Sequence, residues 1–456
     1  MAEFTLREVL QAVGGTAIDI PEETTFEDVL TDTRRDVTGA LFVALVGDTF
    51  DGHDFLAEAI GKDARAVLVK KGGGYDRVPR IEVDDTLKAY QRLANAHRRK
   101  FHVPLVAVTG SSGKTTTKEL IATVLSSKFN VLKTEKNFNN EIGLPATLLG
   151  LDETHEVCVV EMGMRGKGQI EELADIAEPT VAVVTNVGTS HIELLGSREA
   201  IAEAKAELVE AIDREGTVVL NEDDHFVKGM AALTSGKRIG YGMKSNATVT
   251  GYRLRYKKDG VKFTCKCYDE IFDVFLPMLG EYNVYNALAA VAVGRAFGMS
   301  GGKTAKALAS FTGIPMRQEI VSLPDFVVVN DTYNANPQST AESIKAIAQL
   351  EGKRKVAILG DMFELGELTE EAHRRIGRLL AEECYGAVYA VGDAGAYTCE
   401  AASEYGVPTV RHCATKEEAV QRYMAGRHVG DTVLVKGSRG MKMEEAVAML
   451  LNKMKE

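Results

Sequence analysis

The stretch "VTGSSGKTTTKE", which begins at Val108, contains the residue types of a phosphate-binding loop. Gly110 and Gly113 let backbone N–H groups come close to an anion. Lys114 adds a cation, and the hydroxyl of Thr115 is suited to Mg²⁺. The common motif has a glycine in place of Val108, but the apolar run before the loop and the helical pattern after it supply the strand–loop–helix context. The sequence therefore predicts a nucleotide phosphate site in preference to a plain turn.

A second stretch, "GMSGGKT", repeats part of this composition with Gly302, Lys303 and Thr304. It follows a helical pattern and no strand, so it lacks the context of a phosphate loop. We expect a loop with a solvated lysine there.

Two further polar residues follow predicted strands of the same sheet. Glu161 ends the strand "EVCVVEMG", and His191 follows the strand "PTVAVVTNVG". Such residues commonly act as caps or surface groups, but a hard cation beside a triphosphate needs oxygen ligands and tolerates a neutral imidazole. Their place next to the phosphate loop favours a metal-ligand role for both.

Lys205 lies on the apolar stripe of the helical stretch "REAIAEAKAELVEAI". One interpretation is an aliphatic stem that packs against the core while the amine reaches solvent. The other is a desolvated lysine whose lowered pKa frees the amine for chemistry. The residues alone do not decide between them.

The elements that position these residues predict an α/β fold. Near-continuous apolar runs such as "VPLVAVTG" and "GTVVLNEDD" alternate with helical patterns, which is typical of a parallel sheet with ligands at its carboxyl edge. Residues 246–279 show alternating runs around an Asp-Gly turn, which predicts antiparallel strands. A second alternation of strands and helices follows "TGIPMRQE". We predict a small α/β domain (1–100), a central parallel-sheet domain with the phosphate loop (101–313) and a C-terminal Rossmann-like α/β domain (314–456).

Composition narrows the class of protein. The net charge of −11 over 456 residues argues against a nucleic-acid or anionic-membrane binder. The N-terminus has no signal-peptide pattern, and no apolar run approaches the roughly 20 residues that span a bilayer, so we expect a cytoplasmic protein. The alternation of a strand would place Cys265 and Cys267 on one face. Two thiols are too few ligands for a metal site, so we expect structural cysteines.

Together the motifs resemble the Mur ligases, the ATP-dependent amide ligases of bacterial cell-wall synthesis, over essentially the whole chain. The resemblance is carried by "TGSSGKTTT", "EMG", "TNVGTSH" followed by "AKAEL", "NVYNAL" and "NDTYNANP". Within the family, "KNFNNEIGLP", "LGDMFELGE" and "VKGSRGMKME" resemble the members that add D-alanyl-D-alanine to UDP-N-acetylmuramoyl-tripeptide. The stretches "NDTYNANP" and "LGDMFELGE" speak against a member that adds another amino acid. A nucleotide-dependent switch or a small-molecule kinase would not account for the set Glu161, His191 and Lys205 or for a whole N-terminal domain.

The resemblance implies roles for individual residues. It implies ATP as a substrate, Mg²⁺ as the metal, a carbamylated Lys205, and a monomer that binds no nucleic acid. The implied ATP site is Gly110, Ser111, Ser112, Gly113, Lys114, Thr115, Thr116, Asn286 for adenine, Arg317 for phosphate and Asp331 for ribose. The implied metal ligands are Thr115, Glu161, His191 and Lys205, and the implied catalytic residues are Lys114, His191 and Lys205. The implied substrate contacts are Thr33 and Arg34 for the UDP part, Asn139, and Asn334 and Asn336 for the dipeptide. Tyr282 stands where the family has a histidine, in "GEYNVYN", which leaves the local contacts there open.

Overall fold

The computed structural model describes residues 2–47, 49–75, 78–135, 137–190, 192–257, 259–350 and 354–453. His191, one of the predicted metal ligands, lies outside the described residues. The strands of the described residues form four sheets, three of which are mainly parallel. No helix in these ranges is long and apolar enough to cross a bilayer.

The N-terminal unit is a small α/β layer. Its strands are β1 (Phe4–Thr5), β2 (Thr16–Ile18), β3 (Thr25–Phe26), β4 (Val29–Leu30), β5 (Leu41–Val43), β6 (Ala66–Lys70) and β7 (Arg80–Val83). Its α-helices are α1 (Leu6–Val13), α2 (Leu56–Gly61) and α3 (Thr86–Arg99). The order of the main sheet is β2-β7-β6-β5-β4, in which β4 to β7 are parallel and β2 is antiparallel; β1 and β3 pair separately.

The central unit is built on a nine-stranded sheet. Its strands are β8 (Leu105–Thr109), β9 (Val131–Lys133), β10 (Val157–Glu161), β11 (Val181–Val184), β12 (Thr217–Asn221), β13 (Lys237–Gly242), β14 (Val249–Lys257), β15 (Gly260–Cys267) and β16 (Glu270–Leu276). Its α-helices are α4 (Lys114–Ser126), α5 (Gly143–Leu148), α6 (Gln169–Ala177), α7 (Ile192–Leu195), α8 (Arg198–Glu210), α9 (His225–Gly229), α10 (Glu281–Ala296) and α11 (Gly301–Ala309).

The strand order of this sheet brings the predicted site residues together. The order is β16-β15-β14-β13-β12-β11-β8-β10-β9, with parallel pairing from β9 to β14 and antiparallel pairing beyond. Strands β10 and β11 flank β8, and the register sets Glu161 opposite Val108 and Val184 opposite Thr109. The phosphate loop and the tips of both neighbouring strands therefore meet at one edge of the sheet.

Two smaller sequence predictions can be compared with this unit. The antiparallel prediction for residues 246–279 is confirmed, and Cys265 and Cys267 are both buried in the apolar core. The loop predicted at Gly302 is wrong, because Gly301–Ala309 is a helix. Lys303 is exposed on that helix, so its predicted solvation holds.

The C-terminal unit has a six-stranded sheet. Its strands are β17 (Glu319–Ser322), β18 (Phe326–Asp331), β19 (Lys355–Gly360), β20 (Ala387–Val391), β21 (Thr409–Cys413) and β22 (Asp431–Lys436). Its α-helices are α12 (Pro337–Ala348), α13 (Thr369–Glu382), α14 (Gly395–Glu404), α15 (Lys416–Ala425) and α16 (Glu444–Asn452). The order is β17-β18-β22-β19-β20-β21, parallel except for the edge strand β17. The domain boundaries at residues 100 and 313 stay predictions.

Arg98 connects the N-terminal unit to the central unit by hydrogen bonds. It is the penultimate residue of α3 and only 7% exposed. Its guanidinium donates to the carbonyl oxygens of Ala177, Phe101 and Val103 at 3.1, 2.7 and 2.9 Å. One buried cation thus holds the end of α6 and the connection into β8.

We expect Arg98→Met to lower the free energy of unfolding by about 3 kcal/mol, because three buried carbonyls lose a charged donor. Arg99→Met is the matched control, since Arg99 is exposed and pairs with the surface residue Glu178, and a change within about 0.5 kcal/mol is expected there. Urea unfolding of the two variants measures the difference. Equal unfolding free energies would contradict the fastening role of Arg98.

Candidate active site

The phosphate loop follows the buried end of β8. Val108, which replaces the usual first glycine, is completely buried and still paired on both sides within the sheet. The position therefore belongs to the strand and needs no special backbone conformation, which explains why valine is accepted. The loop turns at Gly113, where φ is +77°, and α4 starts at Lys114. The N–H groups of the first turn of α4 and its dipole thus face the loop, which is the arrangement that binds phosphate.

The neighbouring strand β11 holds this loop in shape. Asn186, two residues beyond its end, accepts hydrogen bonds from the N–H groups of Ser111 and Ser112, both at 3.0 Å. The hydroxyl of Thr185 donates to the carbonyl of Ser112 at 2.7 Å. The sequence reasoning missed Thr185 and Asn186. Their signal was their position as a polar pair at the tip of a strand, but only the strand order shows that the tip lies beside the loop.

Thr115 and Glu161 form the centre of the site. The hydroxyl of Thr115 donates to Glu161 Oε2 at 2.7 Å, and Asn139 Nδ2 donates to Glu161 Oε1 at 2.7 Å. The amine of Lys114 donates to the carbonyl of Gly110 at 2.7 Å. Burial lowers the pKa of Lys114 from its ordinary value; the charge of Glu161 opposes this shift. The structure therefore brings four predicted residues together, and it attaches Asn139 to the predicted metal ligand.

Lys205 is buried on α8, with 2% of its surface exposed. The interpretation in which its amine reaches solvent is therefore wrong. Burial lowers the pKa of Lys205 well below its ordinary value, and the charge of Lys114 lowers it further. Among the described residues, Lys205 has no acidic partner that would compensate a buried ammonium.

The C-terminal unit closes the site from the opposite side. Arg317, in the link before β17, donates to the Thr115 hydroxyl at 3.1 Å and lies over the ring of Tyr333, 4.1 Å from its centroid. Asp331, at the end of β18, accepts from Ser343 and from Lys436, each at 2.6 Å. Lys436 is 3% exposed and was missed, because it stands 105 positions beyond Asp331 and reaches it only through the pairing of β18 with β22.

A chain of amide groups joins the two units behind the phosphate loop. The hydroxyl of Thr117 donates to Asn286 Oδ1 at 3.1 Å, and Asn286 donates to Asn283 Oδ1 at 3.0 Å. Asn283 in turn donates to Gln318 Oε1 at 2.9 Å. Asn286 thus lines the cleft, and its amide binds Thr117 and Asn283. Its contact with adenine stays a prediction.

Asn334 and Asn336 also have structural partners. Asn334 Oδ1 accepts from the N–H groups of Ala335 and Arg439. Asn336 caps α12 by accepting from the Ser339 N–H at 2.8 Å, and its amide donates to the hydroxyl of Ser190 at 3.1 Å across the cleft. Both residues therefore shape the loop that faces the phosphate loop.

Two adjoining cavities occupy the cleft. One, of about 230 Å³, is lined by the phosphate loop, Glu161, Arg317 and Asp331. The other, of about 400 Å³, continues past Asn186 and Tyr285 towards α12. They share the lining residues Ser112, Gly113, Tyr282, Asn286 and Glu342. Tyr282, the departure from the family pattern, thus faces both cavities; Thr33 and Arg34 line neither.

Comparison with known proteins agrees with this geometry. The family models "Mur ligase family, catalytic domain", "Mur ligase middle domain" and "Mur ligase, glutamate ligase domain" match residues 29–98, 108–294 and 316–439. The UDP-N-acetylmuramoyl-tripeptide–D-alanyl-D-alanine ligase of Bacillus subtilis (strain 168) is 38% identical over 466 residues, covering 99% of each chain. The chain belongs to the Mur ligase family.

Solved structures of Mur ligases share the whole architecture. MurF from Acinetobacter baumannii is 30% identical with a TM-score of 0.91 over 100% of this chain and 99% of that one. MurF from Thermotoga maritima, solved in complex with ADP, is 29% identical with a TM-score of 0.86 over 94% and 98%. The predicted family, the α/β fold and the use of ATP by this Mur ligase are thereby confirmed.

We expect Gly113→Ala to weaken ADP binding about 5- to 30-fold, because a left-handed backbone costs a non-glycine residue roughly 1–2 kcal/mol. An added Cβ would also lie 2.6 Å from Asn286 Oδ1. Calorimetric titration with ADP measures the affinity.

Gly302→Ala is the matched control, because a Cβ there meets no atom within 4 Å and the residue lies in α11. Its ADP affinity should equal that of the unmodified enzyme. Wild-type ADP affinity in Gly113→Ala would remove the phosphate loop from the nucleotide site.

Proposed function

We propose that this Mur ligase joins D-alanyl-D-alanine to UDP-N-acetylmuramoyl-tripeptide during peptidoglycan precursor synthesis, at the expense of ATP. Relatives named UDP-N-acetylmuramoyl-tripeptide–D-alanyl-D-alanine ligase match the chain over nearly its full length. The structural observation that carries the proposal is the meeting of three elements at the Thr115 hydroxyl. The phosphate loop, the carboxylate of Glu161 and the guanidinium of Arg317 all reach this one group.

The reaction proceeds through an acyl phosphate in this proposal. A terminal carboxylate of the tripeptide attacks the γ-phosphorus of ATP, and ADP leaves. The amine of the dipeptide then attacks the acyl carbon, loses a proton and expels inorganic phosphate. Because a carboxylate is a poor electrophile, the phosphoryl group supplies the leaving group that amide formation requires.

Cations of the chain make the first step possible. The carboxylate and the triphosphate repel each other, and Lys114 with the N-terminus of α4 offsets this charge as it develops. Arg317 adds a second cation from the C-terminal unit. Closure of that unit over the loop keeps water from the acyl phosphate, which water would hydrolyse.

The oxygen groups of the site suit Mg²⁺. Bound Mg²⁺ would neutralise phosphate charge and polarise the phosphoryl group under attack. The Thr115 hydroxyl and Glu161 carboxylate lie 2.7 Å apart and present hard oxygen donors. Among the residues that the structure describes, no cluster of three or more His, Cys, Asp or Glu side chains surrounds a single point. Magnesium tolerates such a sparse protein set, because phosphates and water complete its coordination. His191 stays a predicted ligand.

Carbamylation of Lys205 is part of the proposal. A buried ammonium near Lys114 is costly, and the direction of the pKa shift favours the neutral amine that reacts with CO₂. The product is an anionic oxygen donor, which removes the repulsion and suits a metal. Lys205 would then hold a second Mg²⁺.

Substrate selection involves the other units. We assign the UDP part to the N-terminal unit near Thr33 and Arg34. We assign the dipeptide to the loop that Asn334 and Asn336 hold opposite the phosphate loop. The enzyme is proposed to act as a cytoplasmic monomer.

ADP release in the presence of defined substrate pairs tests the function. We expect turnover with D-alanyl-D-alanine and a UDP-tripeptide ending in meso-diaminopimelate or lysine, and none with a UDP-dipeptide and free amino acid. Lys114→Ala should lower kcat/KM at least about 100-fold, since charge stabilisation in the transition state is lost. Turnover only with the UDP-dipeptide would assign the enzyme to another member of the family.

Lys205→Ala should be nearly inactive, and acetate should restore part of the rate by occupying the space of the carbamate. Removal of CO₂ should lower the activity of the unmodified enzyme most at mildly acidic pH, because protonation of the amine opposes carbamylation.

A ¹³C NMR signal after exposure to ¹³CO₂ should be lost in Lys205→Ala and kept in Lys228→Ala, which alters an exposed lysine. Equal spectra of the two variants would refute carbamylation of Lys205.

A further inference from the structure

Lys118 is a buried cation that the proposed chemistry does not use. It lies one turn after Lys114 on α4 and is completely buried. Its amine donates to the backbone carbonyl of Thr134 at 2.5 Å and pairs with Glu119 at 2.7 Å. Lysine is rarely buried so fully, and it needs such partners to offset the loss of hydration.

Glu119 compensates the charge of Lys118. Burial alone would raise the pKa of Glu119, but the hydrogen bonds from Lys118 and Lys133 outweigh it, so the pKa lies below its ordinary value. Glu119 therefore stays ionised between two lysines. Lys133 differs from Lys118 in that its side chain is partly exposed, and among the described hydrogen bonds its amine binds Glu119 but not the carbonyl of Thr134.

The contact with Thr134 leads directly to the predicted metal ligand. Thr134 is completely buried just beyond β9. Its hydroxyl accepts the backbone N–H of Glu161 at 3.1 Å, and its own N–H donates to the carbonyl of Val159 at 3.0 Å. A path of two hydrogen bonds thus runs from the amine of Lys118 to the backbone of Glu161.

This path complements a direct contact between α4 and β10. Thr115, also on α4, donates to the carboxylate of Glu161. Helix α4 therefore holds Glu161 at two points, at the side chain through Thr115 and at the backbone through Lys118 and Thr134. Thr115 and Asn139 bind the carboxylate oxygens directly. The path through Lys118 and Thr134 holds the backbone from which this side chain extends.

We propose that Lys118 is a positioning residue for the metal site, which sets the carboxylate of Glu161 through Thr134 without touching metal or nucleotide. The inference rests on the proposed function, in which Glu161 and Thr115 bind Mg²⁺. Partners that orient a metal ligand affect the affinity for the metal, and not only the stability of the fold.

Binding of Mn²⁺ to the full-length enzyme with ADP, measured by electron paramagnetic resonance, tests the proposal. Lys118→Met keeps the length of the side chain and removes the charge. We expect its Mn²⁺ affinity to fall about tenfold, within the range seen when partners of metal ligands are lost. Thr134→Val keeps the carbonyl that Lys118 binds but removes the hydroxyl, and it should have a similar effect. The KM for D-alanyl-D-alanine should stay unchanged in both.

Lys133→Met is the matched control, because it removes a charge from the same glutamate but not the contact with Thr134. Its Mn²⁺ affinity should equal that of the unmodified enzyme. The double variant Lys118→Met/Thr134→Val should bind Mn²⁺ as weakly as either single variant, since both act on one path.

Wild-type Mn²⁺ affinity in Lys118→Met would overturn the proposal and leave Lys118 with a role in stability alone. If Lys118→Met does not fold, Thr134→Val decides, and unchanged affinity there overturns the proposal equally. If the unmodified enzyme with ADP binds no Mn²⁺, or Glu161→Gln binds it as tightly, the proposed metal site itself fails.

Discussion

The hydroxyl of Thr115 is the group on which the arrangement of the cleft depends. It donates to Glu161 from β10 and accepts from Arg317, which belongs to the link into the C-terminal unit. A hydroxyl can do both at once, because it has one donor and two acceptor positions. The phosphate loop, the parallel sheet and the C-terminal unit are thus joined at a single oxygen atom. The amide chain through Asn286 and the capped loop at Asn336 reinforce the same closed arrangement from either side.

Local charge at this site opposes the charge of the whole chain. The protein carries −11, yet Lys118, Lys205 and Lys436 are almost completely buried around the cleft. Lys118 pairs with Glu119, and Lys436 pairs with Asp331. The charges of these two lysines are therefore compensated before any ligand binds. Lys205 has no such partner among the described residues. Lys114 and Arg317 are the cations proposed to meet phosphate. An acidic protein can therefore bind a polyanion at one point while its remaining surface repels others.

The sequence predicted residues whose roles follow from local context, and it missed those defined by topology. Lys114 and Thr115 follow from a strand, a loop and a helix in one short stretch. Glu161 follows from its place at the end of an apolar run. Asn186 stands at a strand tip, but only the strand order shows that this tip lies beside the phosphate loop. Lys436 acts on a residue 105 positions away.

Several described contacts between the central and C-terminal units involve amides or hydroxyls. Asn283 and Gln318 meet through their amides, Asn336 meets Ser190 through an amide and a hydroxyl, and even Arg317 meets a hydroxyl. Amides and hydroxyls do not titrate in the range where enzymes work, and salt screens them little compared with ion pairs. The amide and hydroxyl contacts should therefore persist as acidity and ionic strength change. A change of rate with either variable then points to the charged and titrating groups of the cleft and not to these contacts.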